Sequence, residues 1–251
     1  MSAAPTFNPS RRALFVGATA SIVASMAPCV VGAAAPPAGY IKVLGAGQSL
    51  ISRWSWAGNP AFPALQSRLA LAGETRQASF MNVAQGGSSL LKAFVNPGLM
   101  NWWDETTDQP GPALQNALWA INAASVKPNC IVWDQGQTEC YTVSQMDDAT
   151  FTTLYRQAGY KVFSMLRGVI GFQAPIFIER IGPIHGDMAY FPRQQIIRDI
   201  QAVWVGTKWS NIFWGAIPDD RLPLLDDGYH PTDEGFAELG AMTADMMRGR
   251  I

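Results

Sequence analysis

From residue 40 onward, short and mainly apolar runs alternate with longer stretches in which apolar residues recur every three or four positions. The runs at Tyr40–Leu44 (YIKVL), Ala78–Val83, Cys130–Trp133 (CIVW), Pro175–Ile181 (PIFIERI) and Ile212–Ile217 (IFWGAI) predict five strands. Helical periodicity runs over Phe62–Ala72, Phe151–Leu166, Arg193–Val203 and Thr232–Met247. Gly73 is placed to stop the first of these helices. Thr232 suits the N-cap of the last, with Glu234 in its first turn. Short apolar strands that alternate with helices imply a mostly parallel sheet covered on both faces. The pattern therefore predicts an α/β fold, a three-layer α/β/α sandwich around a five-stranded sheet, with no internal repeat and no second core. One long stretch, about Phe94 to Pro112, carries Trp102, Trp103 and several Gly and Pro residues and reads as an irregular loop.

Residues 1–35 follow a different pattern. Ser10-Arg11-Arg12 precedes an uncharged stretch rich in Ala, Val, Gly and Ser, and small residues at 31–35 suit signal peptidase. This predicts a twin-arginine-like export signal over 1–35, a mature domain over 36–251 and a periplasmic or extracellular location. An uncleaved membrane anchor is the competing reading, since the stretch is long enough to span a bilayer; its Gly, Ser, Thr and Pro28 argue against it.

Composition narrows the partners. Hydrophobic residues make up 48% of the 251-residue chain and charged residues 15%, which suits one globular core. The formal net charge of -1 gives no basis for a nucleic-acid partner, and no membrane partner is expected once the signal is removed. No Cys/His cluster has metal-ligand spacing, so neither a metal nor another cofactor is expected. Cys130 and Cys140 read equally as a disulfide or as reduced buried thiols.

Candidate chemistry follows from where ligands bind in parallel sheets, beyond the carboxyl ends of the strands. The segments there are Gly45-Ala46-Gly47-Gln48-Ser49, Ala84-Gln85-Gly86-Gly87-Ser88, Asp134-Gln135-Gly136-Gln137-Thr138-Glu139 and Asp226-Asp227-Gly228-Tyr229-His230. A serine hydroxyl becomes a good nucleophile only when a base takes its proton, and a carboxylate holds an imidazole in the tautomer that does so. Ser49, His230 and Asp227 supply that set. The N–H groups of Ser49 and Gly87 and the side-chain amide of Gln135 are candidate donors to an oxyanion. Gln48, Trp54, Trp102 and Trp103 are the substrate-binding candidates, with Trp56 beside them. Packing in a core or lid is the alternative for each tryptophan. His185, the other histidine of the chain, reads as structural or as a rim residue.

Together the four segments resemble those of the SGNH hydrolases, within the branch of sialate O-acetylesterases and acetylxylan esterases. Gly47-Gln48-Ser49 is similar to the nucleophile block, and Ala84–Ser88 to the oxyanion glycine block. Trp133–Glu139 is similar to the Trp-x-Gln-Gly-Glu-x-Asp block, and Asp227–Thr232 to the final Asp-x-x-His block. Three positions depart from the pattern: Leu50 stands for Asn, Gln137 for Glu and Glu139 for Asp. The resemblance implies a flavodoxin-like sheet and a metal-free, two-step hydrolysis of acetyl esters of a carbohydrate, small or polymeric, through an acyl-enzyme on Ser49. An O-acyltransferase would use the same residues. A non-catalytic carbohydrate-binding module is the reading from another class.

Overall fold

A computed structural model describes residues 39–142, 144, 146–182, 191–207, 210–219 and 221–251. The expected signal segment and His185 lie outside the described residues. Five parallel strands form the central sheet: β1 (Tyr40–Gly47), β2 (Gln77–Asn82), β6 (Cys130–Asp134), β7 (Ile176–Ile178) and β8 (Ile212–Trp214). Their order is β2-β1-β6-β7-β8. Numbered within this sheet alone, that is the flavodoxin-like order 2-1-3-4-5, whose switch point falls between β1 and β6.

The strand sequences divide their side chains between two cores. Ile41, Val43, Cys130, Val132 and Phe177 face helices α1 (Ser49–Arg53), α2 (Ala61–Leu71) and α7 (Asp233–Met247). Leu44, Ala46, Ile131, Trp133, Ile176 and Ile178 face α3 (Pro112–Ala123), α5 (Asp148–Ile170) and α6 (Phe191–Gly206). The two-residue alternation of a strand thus feeds both layers, and each large apolar side chain buried contributes about 1.5–3 kcal/mol. Asp147 caps α5 by accepting from the Thr150 N–H at 2.9 Å. Thr232 caps α7 as its sequence predicts, accepting from the Gly235 N–H at 3.2 Å.

Three differences from the sequence reading have physical causes. The first strand does not end at Leu44 but runs on through Gly47, because residues 45–47 keep pairing with Val132, Trp133 and Asp134 of β6. Helix α3 is absent from the sequence reading; it begins at Pro112, which occupies the first helical position, where its missing N–H costs nothing. The stretch from Phe94 to Pro112 is not an irregular loop. It contributes β4 (Asn101–Asp104) and β5 (Gln109–Pro110) to a small sheet with β3 (Ser89–Leu91), in the order β3-β4-β5. These strands are too short for periodicity to reveal them. Cys130 and Cys140 are buried and unpaired, and burial pushes the Cys130 thiol up to about 12. Among the described residues no helix is long and apolar enough to cross a membrane.

Candidate active site

The site forms where β1 and β6 end side by side. The Gln48 N–H donates to the Asp134 carbonyl at 2.8 Å, one step beyond the last pair of the ladder. Gly47 makes this approach possible. Its φ is +111°, and a Cβ added there would lie 1.8 Å from the Asp134 carbonyl oxygen. The chain then turns directly into α1, whose first residue is Ser49. A first helical residue has no intrahelical acceptor for its N–H, so the Ser49 amide is left for another group.

The histidine arrives from the loop between β8 and α7. The Leu225 N–H donates to the His230 carbonyl at 2.7 Å, and the Thr232 N–H to the Pro223 carbonyl at 2.9 Å, so the loop closes on itself across Leu224 and Pro231. Asp227 organises its tip. Its Oδ1 accepts from the N–H groups of Tyr229 (3.1 Å) and His230 (2.9 Å), while Oδ2 lies 2.7 Å from His230 Nδ1. On the other side of the ring, His230 Nε2 lies 3.1 Å from Ser49 Oγ. Three residues spread over 182 positions of sequence thus form one chain of hydrogen bonds, and the carboxylate in it belongs to Asp227 rather than Asp226.

Electrostatics fit a neutral base beside an ionised acid. Burial lowers the pKa of His230 below its ordinary value; Asp227 opposes this and the charge of Arg53 adds to it. Partial burial works to raise Asp227, but the hydrogen bonds from His230 and Tyr229 outweigh it and leave the carboxyl below its ordinary value. With Nδ1–H directed at Asp227, Nε2 presents its lone pair to the Ser49 hydroxyl.

Gly87 supplies the second candidate oxyanion donor. The Ser88 N–H donates to the Gln85 carbonyl at 3.1 Å, closing a tight turn in which Gly87 takes φ +70°. Leu99 packs over it, so that a Cβ there would meet Leu99 Cδ1 at 2.7 Å. Among the described residues neither the Ser49 nor the Gly87 N–H donates a backbone hydrogen bond.

The expected oxyanion role of the Gln135 amide is corrected. Gln135 is fully buried, and its Nε2 already faces Gln48 Oε1 (2.7 Å), the Ser88 carbonyl (3.0 Å) and Glu139 Oε2 (3.3 Å). Two amide hydrogens shared among three acceptors leave none for a substrate. Gln48 is corrected with it: only 2% exposed, it turns its Oε1 inward to Gln135 and the Gly136 N–H rather than outward to a ligand. Burial pushes the Glu139 carboxyl up to about 7, and Glu139 Oε1 accepts from the Leu90 N–H. Ser88 joins the same network, its Oγ accepting from Trp102 Nε1 at 3.0 Å. The roles of Ser88 and Glu139 were not read from the sequence.

The three tryptophans expected at the substrate lie in the core. Trp102 is fully buried and meets Trp133 edge-on at 5.0 Å. Trp103 is 6% exposed and donates to Asp108 at 3.2 Å. Trp54 is 3% exposed and packs on Phe80. Trp102 and Trp103 sit on β4, which packs against α3 and α5, and that placement takes them from solvent. Trp56 alone of those near the nucleophile is open, at 59%.

No model of a known protein family matches the sequence. Solved structures do match at the level of fold. A carbohydrate acetylesterase from Xanthomonas citri superposes with a TM-score of 0.54 at 13% identity, over 83% of this chain and 55% of that one. A family 3 carbohydrate esterase from Talaromyces cellulolyticus gives 0.53 at 13% identity, over 82% and 95%. A family two carbohydrate esterase from Clostridium thermocellum, in complex with cellohexaose, gives 0.52 at 16% identity, over 86% and 66%. The protein has the fold of the SGNH hydrolases. The chain spans just under two-thirds of the Clostridium structure and just over half of the Xanthomonas one.

Because Gln135 joins Gln48, Ser88 and Glu139 at this edge, Gln135→Ala lowers stability by about 1–3 kcal/mol for each buried group left unpaired. Urea unfolding monitored by tryptophan fluorescence reads this directly, and an unchanged midpoint contradicts the role.

Proposed function

We propose that the protein is a serine esterase that removes O-acetyl groups from a carbohydrate. The observation that carries this reading is the chain of hydrogen bonds from Asp227 through His230 to Ser49, with distances of 2.7 and 3.1 Å. In the proposed reaction, His230 Nε2 takes the Ser49 hydroxyl proton as Oγ attacks the ester carbonyl. Asp227 holds the ring and stabilises the imidazolium that forms. The negative charge on the carbonyl oxygen falls to the N–H groups of Ser49 and Gly87, each such donor being worth about 3 kcal/mol in the transition state. The imidazolium returns its proton to the departing sugar hydroxyl, leaving an acetyl group on Ser49. Water then attacks this acyl-enzyme with His230 again as base, and acetate leaves. The named substrate class of several fold neighbours, carbohydrate esters, supports the carbohydrate part of the reading. The Arg11-Arg12 segment supports export of the enzyme before it acts.

Hydrolysis of p-nitrophenyl acetate by the chain from residue 36 onward is expected to disappear in Ser49→Ala, with circular dichroism unchanged. Equal turnover in both proteins overturns the assignment. Because catalysis needs neutral His230 and its pKa is lowered, kcat/KM holds as pH falls to the ordinary imidazole value of about 6.5 and declines only below it. A pH–rate profile that declines already above pH 6.5 contradicts the lowered pKa.

A further inference from the structure

Two features of the small sheet place Leu99 over Gly87. Strands β3 and β4 pair in parallel with Ser89 opposite Asn101, and the Ser89 N–H donates to the Met100 carbonyl at 3.1 Å. Gly87 and Leu99 stand two residues before the members of that pair, so the register sets one against the other. The turn Asn96-Pro97-Gly98-Leu99 fixes the approach. The Leu99 N–H donates to the Asn96 carbonyl at 3.0 Å, Pro97 holds the second position, and Gly98 takes φ +82° at the third, as a type II turn requires. The side chain closes on Gly87 tightly enough that a Cβ there would meet Leu99 Cδ1 at 2.7 Å, yet Leu99 keeps 44% of its surface exposed.

The proposed acyl transfer gives this position a meaning. Two of the three groups on the substrate's carbonyl carbon have fixed places. The oxygen lies about 3 Å from the N–H nitrogens of Ser49 and Gly87. The leaving oxygen lies toward His230, which returns a proton to it. Gly87 and His230 approach Ser49 from opposite sides. In the order β2-β1-β6-β7-β8, Ser49 follows β1, the Gly87 loop follows β2 at one edge, and the His230 loop follows β8 at the other. The acyl group points away from His230 and is bonded to the same carbon as the oxyanion, so it lies on the Gly87 side. Inward that space is closed, because Ser88 and Gln135 are fully buried and the Gln135 amide donates to the Ser88 carbonyl at 3.0 Å. Outward, the side chain that bounds it is Leu99.

We infer that Leu99 sets the size of the acyl group that the site accepts, leaving room beside Gly87 for the methyl of an acetyl ester and none for a longer chain. Its turn makes the wall stiff, since Pro97 and Gly98 fix the backbone from which the side chain projects. This rests on the esterase reading and adds to it a residue that determines specificity. Pro97-Gly98 marks the turn in the sequence, but only the pairing of β3 with β4 brings Leu99 to Gly87.

The test compares kcat/KM for p-nitrophenyl acetate and p-nitrophenyl butanoate, which share a leaving group and differ by two methylenes. The wild-type protein is expected to favour acetate by about tenfold or more, the lower end of what one methylene does in a fitted apolar pocket. Leu99→Ala should shift the ratio toward butanoate by about tenfold. Leu99→Phe should shift it the other way, which keeps the test open if one variant folds poorly by circular dichroism. A purely structural role would change both esters alike and leave the ratio in place. An acetate to butanoate ratio that is near one in the wild type, or unchanged in both variants, overturns the role of Leu99 and leaves the esterase standing. So does a Leu99→Ala protein that changes only the preference between p-nitrophenyl acetate and an O-acetylated methyl glucoside, since Leu99 would then face the leaving group. No turnover of any of these esters by the wild type overturns both readings.

Discussion

The fold converges on a side-by-side ending of two strands. β1 and β6 finish at one level, and the hydrogen bond from the Gln48 N–H to the Asp134 carbonyl holds the first residues beyond them in register. Everything at the candidate site is referred to that point. Ser49 begins its helix one residue later. Gln135 reaches back from β6 to Gln48 and across to the Ser88 carbonyl, so one buried amide fixes three of the four loops relative to one another. A buried amide tolerates no loose partner, because each group left unpaired costs as much as a typical hydrogen bond contributes or more. That demand is what makes the edge rigid.

The fourth loop brings His230, and its order is set by a different economy. Asp227 uses one carboxylate oxygen on the backbone of its own loop and the other on the His230 ring. The same group therefore shapes the turn and orients the imidazole. Pro231 and Thr232 follow at once, and the start of α7 anchors the far end of the loop. A histidine carried this way needs no partner from the sheet to stay in place. It is left to face Ser49 alone.

Much of this is legible in the sequence alone. The five sheet strands and four of the five long helices, all but α3, follow from apolar periodicity, and the parallel arrangement follows from their alternation. Ser49, His230 and Asp227 could be named because each stands just past a strand or just before a helix, where short polar segments are conspicuous. What escaped reading depended on contacts between distant segments. Trp102 and Trp103 look like loop residues until β4 is seen to pack on α3 and α5, and nothing in a four-residue strand announces it. Gln48 and Gln135 look available to a ligand until each is seen to occupy the other. Polar residues beside a nucleophile carry no mark in the sequence that says whether they point in or out.

The claim on which the account stands is that Ser49 is held as an activated nucleophile, and its chemical reactivity in the folded protein tests this most directly. Phenylmethylsulfonyl fluoride, followed by tryptic digestion and mass spectrometry, locates the most reactive hydroxyl without any choice of substrate. The account predicts one adduct per chain, on Ser49 in the peptide Val43–Arg53, formed by the folded protein and lost when it is unfolded before treatment. No adduct in the folded protein, or one on Ser88 or another serine in its place, would contradict it.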